Sequence, residues 1–287
     1  AGTTIPENQL LRPYPQFTSV NISQDRTQAS SSYNALLVSY SQRMSGGLSA
    51  MINYQYSKAI DNTSETGYNN DSGARDIYNL SLERSVSGHD MPQQLTVSLI
   101  WKLPFGRGMR FGGNMNRIVD VFAGGWQLST VTIINKGFPI SITDSSNPIS
   151  GFGFGESRPN VTSAVALRPP HRKLTNWFNP AAFSTQCWAS TSSVTATSSC
   201  PAGTGPTYNA IGNIRRFEAA DRQGSYIRPD MTLQKNFLVT GEKKIAVHVA
   251  AFNLTNTPYY AAPNSSVGSS TFGQVTGTGT GSIPRTV

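Results

Sequence analysis

The sequence predicts an all-β protein, an antiparallel up-and-down β-barrel wall that crosses a membrane, and three observations predict it. Apolar and polar side chains alternate over runs of about ten residues, the length a tilted strand needs to cross a bilayer. The connections between runs are alternately short or medium and long, which puts short turns on the periplasmic side and long loops outside. Charged residues make up only 13% of the 287 residues while aromatics reach 10%, against about 25% charged in a soluble domain.

Each element follows from its local pattern. A weak strand is readable from Phe17 to Ser23 and a second from Tyr33 to Arg43. Met44 to Gly47 is a tight turn with the glycines that a hairpin favours. In residues 48–57, Leu48, Ala50, Ile52, Tyr54 and Tyr56 oppose Ser49, Met51, Asn53, Gln55 and Ser57. A long connection from Ala59 to Met91 leads to residues 94–103, where Leu95, Val97, Leu99, Trp101 and Leu103 share one face. Pro104 to Gly124 is a glycine-rich connection of medium length, with a short helical turn expected at Asn116 to Phe122.

Trp126 to Thr143 reads as one strand with a bulge near Gly137-Phe138-Pro139, and the longest connection, Ser145 to Gly224, follows it. Met231, Leu233 and Phe237 alternate with Asp230, Thr232, Gln234 and Asn236, and Val239 to Glu242 is a second tight turn. Ile245, Val247, Val249 and Ala251 then alternate with Ala246, His248 and Ala250. A long connection from Thr255 to Thr271 precedes a final strand expected from Phe272 onward. The count is about eight strands in a single partial barrel domain over residues 1–287. Tyr54, Tyr56, Trp101, Phe105, Trp126, Phe237, Tyr259 and Tyr260 crowd the strand ends, where aromatics on a barrel form interfacial girdles.

Several function classes recede. No apolar run approaches the ~18 residues of a spanning helix. The net charge of +8 is scattered and accompanied by no nucleic-acid-binding module, so no nucleic-acid partner is expected. His89, His171 and His248 lie far apart and none has metal-ligand spacing. Gly151 to Gly155 lacks the helix and Lys-Ser/Thr of a phosphate loop. Asn69, Asp71 and Asp76 lack the closing Glu of an EF-hand and read as Asx turns. No enzyme activity, metal or cofactor is expected. Cys187 and Cys200 share one Ser/Thr/Gly-rich segment, and a disulfide closing an outer loop is the favoured reading over two free thiols.

A set of longer segments carries a family resemblance. Arg12 to Phe17, Ser32 to Ala35, Tyr56 to Asn62, Leu103 to Gly108, Gly125 to Leu128, Trp177 to Phe183 and Ala251 to Asn256 together resemble the C-terminal barrel of TonB-dependent outer-membrane receptors. The closest group is the acidobacterial type with an N-terminal carboxypeptidase-regulatory-like domain.

The resemblance implies a 22-stranded barrel of which this chain supplies about the last eight strands. It implies uptake through a plug pulled by the TonB complex, with outer loops 59–91, 145–224 and 255–271 contacting an unidentified ligand. A plug, the N-terminal strands and a terminal aromatic are expected to belong to the whole receptor and not to this stretch, which alone is not transport-competent. Self-association through open strand edges is a further expectation. The alternative is a complete exported β-protein with a structural or adhesive role.

Overall fold

A computed structural model describes residues 10, 14–17, 29–63, 74–76, 79–144, 158–162, 164–185, 212–240 and 243–286. Six long strands form one meander in which each pairs antiparallel with the next. They are β1 (Ser31–Ser45), β2 (Leu48–Asp61), β4 (Gln93–Lys102), β5 (Trp126–Asn135), β9 (Tyr226–Thr240) and β10 (Lys243–Ala251). The two-residue β3 (Ser85–Val86) adds to the end of β2. Among the described residues the sheet is open, with β1 and β10 as its edges.

Period-two sequence becomes two chemically distinct faces because paired residues share a side of the sheet. One row runs through Tyr40, Ile52 and Val97 to Thr132; another joins Leu99 and Thr130 to Met231 and Ala251; a third joins Trp101 and Leu128 to Leu233 and Val249. That face is apolar across all six strands. The opposite face carries Ser39, Asn53, Thr96 and Ser98, Ser129, Asp230, Thr232 and Gln234, and His248, interrupted by Met51, Ile100 and Val131. Ten residues of β4 span about 33 Å, or about 25 Å once tilted by ~40°, the height of a membrane barrel's apolar band. Among the described residues no helix is long and apolar enough to cross a membrane.

The two ends of the sheet differ. At one end lie the Gly46-Gly47 turn, with φ of 59° and 84°, and the connection from β4 to β5. That connection holds α1 (Arg117–Ala123), whose cap is the Asn116 side chain accepting from the Ile118 amide at 3.1 Å. The expected helical turn is thus present, shifted by one residue. The turn between β9 and β10 lies at the same end, with residues 241–242 outside the described set.

At the other end the long connections pack on one another. Their core is Ile140, Ile142, Phe178, Ala182, Phe183, Ile214 and Val267, flanked by Trp177 and Phe272. Four short strands knit this layer: β6 (Thr143–Asp144) runs parallel to β11 (Ser266–Val267), and β7 (Asn160–Val161) antiparallel to β8 (Phe183–Ser184).

Two strand expectations need correction, and a third lies almost wholly outside the described residues. The strand begun at Trp126 stops at Asn135, because Gly137 lies so close to the Gln223 and Gly224 backbone that any side chain would collide. Residues 138–140 instead bond Asp221 to Gln223, and the chain turns into the loop layer. No long strand begins at Phe272: its ring stacks on Phe178 at 5.4 Å. The glycine-rich stretch that follows, with φ of 74° at Gly273 and 88° at Gly281, makes isolated bridges, Thr278 to Tyr260 and Thr286 to Phe252, rather than a ladder. At Phe17 the backbone is irregular, while residues 18–23 lie outside the described set. Six wall-length strands are found among the described residues.

Candidate functional site

The loop layer is built around buried charges, Arg75 and Arg158 against Glu83. Glu83 ends a short 3-10 turn, Leu80–Glu83, and is buried. Its Oε1 accepts from the Arg75 amide at 3.0 Å and Nε at 3.3 Å, and its Oε2 from Arg158 at 2.6 Å. Arg75 also donates to the carbonyls of Ile214 (2.9 Å), Leu82 (2.5 Å) and Gly212, so one guanidinium ties three stretches of chain together. Burial alone would raise the Glu83 carboxyl, but Arg158 and then Arg75 outweigh it and hold it below the usual range.

A second group stitches the layer to the wall. Asp61, the last residue of β2, pairs with Arg216, which also donates to the Asp61 carbonyl at 3.1 Å. Asp90 accepts from the Ala59 amide at 2.6 Å and from Arg222 at 2.5 Å. Arg222 further donates to the Asp90, Gly137 and Ala219 carbonyls. Its own carbonyl accepts from the Trp177 indole at 2.8 Å.

Arg172, stacked over Trp177, reaches Asp221 at 3.5 Å. That pair is strained electrostatically. Asp221 is fully buried and its Oδ2 has no partner among the described residues. Burial pushes its carboxyl up to about 6 despite Arg172 and Arg168, with Glu218 adding to the rise.

Beside β9 the mouth holds a shallow cleft lined by Tyr226, Arg228, Asn253, Thr257, Tyr259 and Ile283. Arg228 pairs with Asp230 at 3.1 Å. Asn253, at a φ of 48°, donates from its amide to Asp230 at 2.8 Å and from its side chain to the Thr257 and Ile283 carbonyls. The Tyr259 hydroxyl donates to Gln223 at 3.0 Å and its ring meets Tyr226 edge-on at 5.3 Å. Rigid aromatics, amides and one ion pair on a water-exposed rim can hold a polar ligand; no acid, base and nucleophile converge here.

The sequence-predicted residues distribute as follows. Trp101, Trp126 and Phe237 stand on the apolar face at the short-turn end, with Phe105 just beyond, its ring tilted against Phe111 at 5.5 Å. Tyr54 and Tyr56 are on the apolar face of β2, Tyr54 near mid-wall. Tyr259 and Tyr260 belong to the loop layer and not to a strand. Cys187 and Cys200 lie outside the described residues, as do Gly151 to Gly155, Asn69 and Asp71. His89, His171 and His248 are not brought together, and among the described residues no group of His, Cys, Asp or Glu could hold a metal.

Pattern reading missed the ion-pair lattice. Its one signal was that a charge-poor chain keeps most of its acids in the long connections. Of the described residues in loops 59–91, 145–224 and 255–271, those at 75–76, 79–90, 158–162, 164–183 and 212–222 belong to the packed layer, and Thr257 and Tyr259 line the cleft.

A family model described as an outer membrane β-barrel domain matches residues 1–287. No curated protein matches the chain, and no solved structure does.

Proposed function

The chain belongs to the outer membrane β-barrel domain family, and from that premise we propose that it forms the wall and mouth of a TonB-dependent receptor. It resides in the outer membrane of a Gram-negative cell, against that membrane's lipid. On our reading the mouth captures a scarce ligand, and the polar face lines its passage when a plug is pulled from inside. The role is binding and gated passage, not catalysis.

One observation carries the reading: a packed, charge-stitched loop layer stands at one end of a two-faced wall, over its polar side. A purely structural wall has no need of buried Arg75, Glu83 and Arg158 in its loops, since buried ion pairs fix geometry more than they stabilise. The open edges at β1 and β10 argue for more strands in the whole protein, because a lipid-exposed sheet edge is not tolerated. They weigh against the alternative of a complete exported β-protein with an adhesive or structural role, which must cover both edges.

Growth of a strain lacking the whole gene tests this on siderophore-bound iron, oligosaccharides or peptides as sole source. One nutrient should fail to support growth, and rescue should need both the full gene and an intact TonB. Normal growth on every nutrient, or rescue without TonB, overturns the proposal.

A further inference from the structure

The short-turn end of the wall carries an apolar surface that the transport reading does not use. In α1 no residue is buried, and Ile118 and Phe122, one helical turn apart, are each 71% exposed. Val119 and Val121 are half exposed, and Phe105, Met109 and Phe111 of the same connection are exposed as well. In water, seven exposed apolar side chains within one connection would be costly.

Two contacts fix the side of the wall on which this surface lies. The Trp126 indole donates to the Phe122 carbonyl at 2.9 Å. The Lys235 ammonium donates to the same carbonyl at 3.2 Å and to that of Gly124, and lies 5.0 Å from the Trp126 ring centre and 5.1 Å from that of Phe237. Trp126, Lys235 and Phe237 all belong to the apolar face. The helix is therefore tied by its C-terminal carbonyls to the lipid side of the wall and not to the lumen, in continuity with the apolar band.

Charge completes the picture. Arg43, Lys102, Arg107, Arg110, Arg117 and Lys235 gather at this end. Among its described residues Asp120 is the one acid, and its Oδ1 already accepts from the Arg107 amide at 2.6 Å. Exposed apolar residues flanked by arginines are the signature of a segment that lies in a headgroup layer bearing negative charge.

We infer that residues 105–122 are an interfacial anchor: Ile118 and Phe122 enter the acyl boundary of the leaflet at the short-turn end. Arg107, Arg110 and Arg117 contact anionic phospholipid headgroups. The anchor sets the depth of the wall.

The test uses the full chain in phosphatidylcholine/phosphatidylglycerol vesicles, with Cys187→Ser and Cys200→Ser. A bimane label is placed by Phe122→Cys or, should that variant not fold, by Ile118→Cys. A Val249→Cys label on the apolar face serves as reference. The label at 122 should be quenched by shallow lipid-borne nitroxide and shielded from aqueous iodide. Replacing Arg107, Arg110 and Arg117 with Gln should raise iodide quenching several-fold in these vesicles and leave it unchanged in phosphatidylcholine alone. Iodide access at 122 with lipid quenching at 249 overturns the anchor while leaving the wall intact. Shielding at 122 that vanishes as protein is diluted in the vesicles overturns it in favour of a second copy. Iodide access at both sites sinks the membrane placement and the anchor together.

Discussion

At the scale of single residues, the buried carboxylates of the loop layer make opposite predictions. Glu83 is the one carboxylate shared by two buried guanidiniums, and among the described residues Arg158 already has Nε and one terminal nitrogen without a partner. Glu83→Gln leaves both charges uncompensated and should destabilise the layer by about 3–5 kcal/mol, as removal of one partner from a buried pair does. Amide exchange at residues 177–183, which line the same core, should accelerate accordingly; unchanged exchange would refute the lattice.

Asp221 runs the other way. Its folded value is raised to about 6 from an unfolded value of ~3.9, so the folded form holds its proton more tightly. That contribution is fully present below pH ~4 and is lost as pH climbs through 6, a change on the order of 3 kcal/mol. Asp221→Asn should therefore flatten this descent between pH 4 and 6 and leave the layer more stable than wild type at pH 8. A variant whose thermal unfolding keeps the wild-type pH profile sinks the assignment. None of these charges could be paired from sequence, since Glu83 and Arg158 lie 75 positions apart and only the folded layer joins them.

At the scale of elements, the wall strands were legible because alternation is a local property. Leu95 to Trp101 announce a face whatever their partners are. Both ends of the Trp126 strand tell why legibility fades. Its start is marked by Gly125, at a φ of 71°, but its stop depends on a backbone approach between Gly137 and Gln223 that no local pattern encodes. Gly137→Ala should consequently loosen the junction between wall and loop layer, raising exchange at Ile140 and Gln223 while β4 and β5 stay protected. Protection unchanged at both positions would show that the close approach is dispensable. The two faces make a sharper test. Val97 stands on the apolar face between Ile52 and Thr132, and Ser98 beside it on the polar face. An arginine at 97 should cost about 2–4 kcal/mol of folding in vesicles, and one at 98 well under ~1 kcal/mol. Equal costs at the two positions would sink the assignment of faces to lipid and water.

At the scale of the whole molecule, the distribution of cohesion is what the sequence hid. Alternation marks the strands and is silent on how the connections pack. The most buried apolar residues, Ile142, Phe178, Ala182 and Ile214, are instead all in connections, because a wall one sheet thick has lipid and water where a soluble domain has a core. Trp177 to Phe183 was noticed as a motif for its family likeness, and its physical role, the keystone of the loop layer, emerges only when Phe272 and Ile140 arrive from distant sequence. The wall has the converse property: its cohesion is lateral, through ladder bonds, and among the described residues it ends at β1 and β10 with one row of backbone groups each unpaired by any wall strand. In hydrocarbon each such group costs several kcal/mol, so the isolated chain should either take up neighbouring strands or pair edge to edge with another copy. Hydrogen exchange separates these outcomes. In dilute vesicles the outward amides of β1, from Tyr33 to Tyr40, should exchange orders of magnitude faster than those of β4. They should slow when upstream barrel strands are supplied as a separate polypeptide, and β10 should slow with them as the wall closes. If β1 is already protected in a monomer, the edge is covered from within, and the wall is not a segment of a larger barrel.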